Sequence, residues 1–154
     1  MASMNAGVLE EVMDLLRQRT HTDRNEMEQL VKELEISEES IECDADGTGC
    51  CASRKLIARN ETLDCVLCEW PSGSNNFFAT KDSNFEVIRI LSGKLTLIER
   101  HEIQGKMEPY CTTELTSGSV ISLPHNLHYS LQNTQKEAAR TLHIVCPCAG
   151  KAKS

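Results

Sequence analysis

Eight cysteines and five histidines are the side chains best suited to metal or thiol chemistry in this sequence. The cysteines include the short pairs Cys50–Cys51, Cys65–Cys68 and Cys146–Cys148. A zinc ribbon needs two such pairs set in turns, so that four sulfurs converge tetrahedrally. Cys65 and Cys68 lie instead in Thr62–Glu69, a strand-like run in which positions three apart point to opposite faces. Buried thiols are therefore expected, rather than a zinc site. Asp44, Asp46, Thr48 and Gly49 open like a calcium loop, but an EF-hand needs a glutamate at its twelfth position, where Lys55 stands. His128 reads either as a hydrogen-bonded interior residue or as a metal ligand, and His125 as part of an exposed turn. His143 lies between Leu142 and Ile144, so it faces opposite to both. Glu86 alternates against Val87 and is expected at the mouth of the fold.

Two kinds of element must position these residues. Val8, Leu9, Val12, Met13, Leu15 and Leu16 recur at helical spacing. Asp23 with Glu26 three later is a capping-box-like start, and Met27, Leu30, Val31 and Leu34 continue a second helical face. From Arg54 onward the period changes to two. Strands are expected over 54–59, 62–69, 84–91, 94–100, 111–116, 119–123, 127–132 and 140–146, with turns at Ser92-Gly93 and Ser117-Gly118. Two helices followed by short strands predict a mainly β fold, a jelly-roll β-barrel with two N-terminal helices. Val87, Ile90, Leu95, Leu97, Val120, Ile121, Leu142 and Ile144 are its expected core. The expected division is an acidic helical segment over 1–50 packed on a barrel over 51–148, with a flexible tail over 149–154.

A chain of 154 residues suits one domain, and 40% apolar with 25% charged residues is an ordinary globular composition. The net charge of −7 argues against nucleic acid or an anionic membrane surface as a partner. The acids are concentrated: residues 1–50 hold 13 acids and 4 bases, residues 51–154 hold 10 acids and 12 bases. The acidic third reads as a solvated helical face, with a protein-binding surface as the alternative. No apolar run approaches the ~18 residues that cross a bilayer. Glu10, Glu11 and Asp14 interrupt the apolar start, unlike a secretory signal. With free thiols, this makes the cytoplasm the expected location.

Two spacing patterns narrow the fold. Gly73, Ala79, Lys81, Glu86 and Gly93 keep the intervals of the first cupin motif, in which the second and third positions are His. Gly118, Pro124, Asn126 and His128 approach the second motif, with His128 one residue early and Gln132 or Asn133 at its end. Within the cupins the chain most resembles cysteine dioxygenase and related thiol dioxygenases, from about Cys51 to Pro147. Ala52–Ile57 and Leu63–Gly73 are similar to that family's substrate-arginine segment and next strand, and Leu91–Leu95, Asn126–Asn133 and Thr141–Pro147 to its later landmarks. The resemblance implies a ferrous-iron site of three His at the positions of Ala79, Lys81 and His128, so two ligands are replaced. It implies that Arg54 holds a substrate carboxylate. Thr141-Leu142-His143-Ile144-Val145 takes the place of the family's Ser-x-His-x-Tyr run, keeping the His and losing the Tyr. The cysteine that cross-links to that Tyr in animal members corresponds to Glu86.

Iron that activates oxygen for a thiol needs three donors and open positions. Alanine donates nothing, and a lysine of pKa ~10.4 is rarely deprotonated near neutrality. The leading expectation is a cysteine-dioxygenase-like cupin that has lost iron-dependent thiol oxidation and holds no cofactor. It keeps a pocket for a small anionic or thiol-containing molecule, with Arg54 and His143 binding it and Thr141 and His143 at the matched catalytic positions. The first alternative is an active thiol dioxygenase or other metalloenzyme with an atypical site. Its divalent iron, nickel or zinc would be held by His128, with Glu86 and His125 as weaker candidates. The second alternative is an interaction scaffold acting through the acidic helices. Lys81 reads either as pointing to water or as pairing with Glu86 across a bend at Asp82–Asn84.

Overall fold

The computed structural model describes residues 2–4, 24–34, 41–43, 53–59, 63–79, 83–124 and 127–147, together with Glu10 and Asp14. Lys81, Asp82, His125, the calcium-like loop over 44–49, Cys50, Cys51 and Cys148 lie outside the described residues, as does the tail over 149–154. So does the first expected helix, apart from Glu10 and Asp14.

The second expected helix forms as α1 (Arg24–Glu33), with Glu26 in its first turn. Met27, Val31 and Leu34 recur at three- and four-residue spacing and are buried. One helix, not two, therefore stands among the described residues. The first 50 residues also hold a feature with no helical character: β1 (Ala2–Met4) pairs antiparallel with β2 (Ile41–Cys43). Three residues are too few for alternation to show in a sequence.

The remaining strands are β3 (Ser53–Arg59), β4 (Asp64–Trp70), β5 (Asn75–Ala79), β6 (Ser83–Ser92), β7 (Lys94–Ile103), β8 (Lys106–Thr116), β9 (Val120–Pro124), β10 (His128–Gln132) and β11 (Ala139–Pro147). They build two antiparallel sheets, one ordered β3-β4-β11-β6-β9 and the other β5-β10-β7-β8. The expected jelly-roll barrel is built as two sheets facing each other, with no backbone ladder joining them among the described residues. One reason lies in β8, whose residues 106–114 are all exposed, so this edge runs out past the sandwich as a ribbon. A bulge between Glu99 and Arg100, opposite Tyr110 and Pro109, interrupts that edge and discourages further pairing.

Alternation along the five-stranded sheet divides the core in two. One face packs Cys65, Leu67, Phe85, Val87, Leu91, Leu142 and Ile144 against Met27, Val31 and Leu34 of α1. The other turns Val66, Cys68, Trp70, Ile88 and Ile90 toward Leu95, Leu97, Tyr129 and Leu131 of the second sheet. Of the expected core residues, Val120 and Ile121 are only partly buried; the other six are fully so. Arg89 ties α1 down: its guanidinium donates to the carbonyls of Val31, at 2.9 Å, and of Leu34. A cation there meets the negative end of the helix and satisfies its orphan carbonyls. Gly93 closes the β6–β7 turn with φ +83°, and an added Cβ would lie 2.8 Å from Ala139 Cα, so only glycine fits.

Candidate functional site

The face of the five-stranded sheet that looks into the sandwich carries polar residues where an apolar core would be expected. Cross-strand register explains how they meet. Cys68 on β4 lies opposite Arg54 on β3 and Thr141 on β11, and Val66 lies opposite His143. Directly opposed residues share a face, so Arg54, Cys68, Thr141 and His143 all belong to the inner one. On β6, Glu86 alternates with Val87 onto the same inner face.

These groups form one continuous chain of hydrogen bonds. Trp70 Nε1 donates to Thr141 Oγ1 at 2.8 Å. Thr141 Oγ1 lies 2.7 Å from His143 Nε2, and His143 Nδ1 lies 2.6 Å from Glu86 Oε1. The Tyr129 hydroxyl, reaching across from the second sheet, donates to Glu86 Oε2 at 3.0 Å. Cys68 lies opposite Thr141 on the adjoining strand, and its thiol is influenced by both His143 and Thr141. Cys68, Trp70, Thr141 and His143 have no exposed surface, and Glu86 only 6%.

Electrostatics follow from this geometry. Burial, the largest influence on Glu86, favours its neutral form, but His143, Tyr129 and Arg54 together hold the carboxyl below its ordinary range. Burial pulls His143 down; Cys68 and Glu86 outweigh it and push the imidazolium up to about 9. Burial likewise raises the Cys68 thiol, yet His143, then Arg54 and Thr141, bring it below the usual thiol value. Tyr129 is pushed well above its usual value by burial and by Glu86. The favoured state is a Glu86 carboxylate and a doubly protonated His143, beside a Cys68 thiol more acidic than usual.

Proton counting is satisfied in that state, as it also is with a neutral ring whose Nε2 accepts from Thr141. An indole N–H can only donate, so Thr141 accepts from Trp70. A hydroxyl has one more acceptor position and one proton to give. With His143 protonated at Nε2, Thr141 accepts from the ring as well and its own proton is left for Cys68. Every polar hydrogen then has an acceptor, as burial in a low-dielectric interior requires.

The residues singled out in the sequence fall into two groups. Arg54, Glu86, Thr141 and His143 share the inner face, with Arg54 on the edge strand and exposed. Glu86 lies within the sandwich rather than at its mouth, and its two oxygens meet His143 and Tyr129. His128 is half-buried and precedes Tyr129, so it takes the face of β10 turned away from Glu86. The metal set of His128 with Glu86 is therefore not brought together. Ala79 ends β5 and pairs with His128 through the backbone; Lys81 and His125 are outside the described residues.

Tyr129 and Trp70 are members of the site that the sequence pattern does not single out, and Cys68 is the buried thiol expected there, with polar neighbours that were not. Tyr129 had a signal: counted from Gly118, the His position of the second cupin motif is Tyr129, and its last position is Asn133. Asn133 is buried, donating to the carbonyls of Trp70 and Glu137 at 2.9 and 2.8 Å. It fixes the end of β4. A surface hollow of about 510 Å3 is lined by Gly93, Lys94, Thr134, Gln135, Lys136 and Glu137, none of which belongs to the site.

Two facing antiparallel sheets of this topology define the class, and the chain shares the cupin fold. It is similar to the cupin domain of Cnp3 from Schizosaccharomyces pombe, with a TM-score of 0.54, 19% identity, and coverage of 63% of this chain and 61% of that one. It is also similar to the Cupin_2 domain of an XRE family transcriptional regulator from Enterobacter cloacae, with a TM-score of 0.52, 12% identity and coverage of 63% and 97%. A third similar structure is the DMSP lyase DddQ from Ruegeria pomeroyi, with a TM-score of 0.52, 13% identity and coverage of 66% and 49%. No family model and no curated protein matches the chain.

The three-His iron implied by the thiol dioxygenase resemblance does not suit these residues. Position 79 has no donor atom, and position 81 carries an ammonium. The side chain at the third motif position, Tyr129, spends its proton on Glu86.

Proposed function

We propose that this chain is a cysteine-dioxygenase-like cupin that binds a small anionic or thiol-bearing molecule beside Arg54 and does not oxidise it with iron. The observation that carries the reading is the placement of Arg54. It lies opposite Cys68 on the inner face, and its charge acts on Cys68, Glu86 and Tyr129. A guanidinium is always charged and holds a carboxylate by paired bonds. The Glu86–His143 pair supplies fixed charges of both signs where the resemblance implies a cation, so the interior stays electrically balanced without one.

Binding of cysteine, 3-mercaptopropionate and cysteamine to the purified protein tests this, because only the first two carry a carboxylate. Arg54→Ala removes a charge-assisted bond of ~1.5–3 kcal/mol, which is roughly a ten- to hundredfold loss of affinity for the carboxylates. Equal affinity of both proteins for every carboxylate ligand defeats the assignment. Oxygen uptake with cysteine and added Fe2+ should stay at background. Sulfinate formed on the order of 1 s−1 or faster would instead support the active-dioxygenase alternative.

A further inference from the structure

The end strands of the two sheets are β3, β9, β5 and β8. α1 packs on β9, and β8 is broken by its bulge and by Pro109. β3 pairs with β4 on one side, and among the described residues no strand pairs with its other side. It runs regularly over 53–56, ahead of a register shift between Leu56 and Ala58. Its charge is of one sign. Arg54, Lys55 and Arg59 stand there without an acid, on a chain of net charge −7. Arg59 is taken up by Asp64, which it meets at 2.7 and 3.1 Å. Lys55 is exposed, and beside it Leu56 is 47% exposed. The other exposed large hydrophobics among the described residues, Ile103, Met107 and Tyr110, all belong to the β7–β8 ribbon.

We propose that the free edge of β3 takes an extended acidic peptide as an added strand. The main chain over 53–56 supplies the pairing, and the side chains select the partner. Arg54 and Leu56 share the inner face with Cys68 and Val66, whereas Lys55 shares the outer face with Leu67. An antiparallel ligand strand therefore presents an apolar side chain opposite Leu56, then acids opposite Lys55 and Arg54. The charge also selects against β3 of a second copy, because pairing this stretch with itself sets bases against bases. The inference goes beyond the small-molecule reading and does not rest on it. Main-chain pairing, Lys55 and Leu56 carry it whether or not Arg54 holds a small carboxylate, so the two readings fail separately.

The test titrates the full chain into a fluorescein-labelled peptide, Thr-Val-Leu-Glu-Glu-Val-Thr, followed by fluorescence anisotropy. Saturable binding below about 1 mM is expected, weakening as salt rises. Lys55→Glu sets like charges opposite each other and should weaken binding roughly five- to tenfold. Replacing the first peptide glutamate with lysine should restore it in that variant. Leu56→Asp should weaken binding to a similar degree. Strand addition has a signature of its own, because alternate N–H groups of a strand point to opposite sides. Of two peptides N-methylated at one or the other glutamate, one should lose binding and the other keep it. No saturable binding of the parent peptide overturns the proposal, as does equal binding of the parent and both methylated forms. A dimer of the chain alone that Leu56→Asp dissociates would place a second copy on β3 and overturn it too. The methylated pair is read on the unsubstituted chain, so it stands even where a variant fails to fold.

Discussion

Cys65 and Cys68 lie three residues apart on β4, both buried, yet they occupy opposite kinds of surroundings. Cys65 faces α1 among leucines, valine and phenylalanine, where burial, with Asp64 nearby, pushes its thiol up to about 12. Cys68 faces the second sheet beside His143, Thr141 and Arg54, and its thiol is brought below the ordinary value. The same contrast holds for the whole sheet. Its outer face is an apolar seam for the helix, and its inner face carries a buried chain of hydrogen bonds. Depth alone therefore does not decide a thiol's chemistry; the partners in the next strands do.

Substitutions on the two faces should separate in magnitude. The largest effect is expected from Glu86→Ala, which strands the His143 cation in the interior at ~3–5 kcal/mol, read from urea unfolding at pH 7. Arg89→Ala should come next. It frees α1 from the sheet by removing bonds to two helix-end carbonyls, at about 2–3 kcal/mol. A loss of helix signal before the main unfolding transition would show that the outer seam opens first.

Tyr129→Phe removes one donor from the Glu86 carboxylate, at about 1.5–2 kcal/mol. It also bears on pH. Glu86 titrates below its ordinary value in the folded protein, so its stabilisation is complete above that ordinary value and is lost as pH falls through the lowered one. Without the tyrosine the folded value rises toward normal. The deficit of Tyr129→Phe should therefore be present at neutral pH and shrink in acid, and a deficit constant with pH would contradict the role given to the tyrosine. The smallest effect belongs to the outer face. Ile144→Val should cost only ~0.5–1.5 kcal/mol and show no pH dependence, because it leaves no polar partner stranded.

The contrast also explains what the sequence disclosed. Strands β4, β6 and β11 are buried on both faces, which blurs their alternation, yet the placement of His143 opposite Leu142 and Ile144 still follows from period two. β5 does not alternate: Asn75, Asn76, Phe77 and Phe78 pair polar with polar and apolar with apolar, and asparagine is poor in strands. The first half of β8 is exposed on both faces and contains Pro109, so no pattern marks it. Within the site, Glu86 and His143 were legible as polar residues on strand faces, but their pairing was not. It spans 57 residues of chain, and that from Trp70 to Thr141 spans 71. Lys81, the nearer charge for Glu86 by sequence, lies outside the described residues; the carboxylate meets a histidine in an adjacent strand. The second cupin motif misleads for a different reason. A histidine stands at position 128, one residue short of the motif's spacing, which falls on Tyr129.

Everything distinctive on the inner face depends on His143 carrying two protons beside an anionic Glu86. The 15N resonances of the His143 ring, followed from pH 6 to pH 10 in the intact protein, report this directly. The account expects both ring nitrogens to be protonated at neutral pH and the ring to titrate near 9. A ring already neutral at pH 7.5, with one unprotonated nitrogen and a midpoint near the ordinary ~6.5, would contradict it.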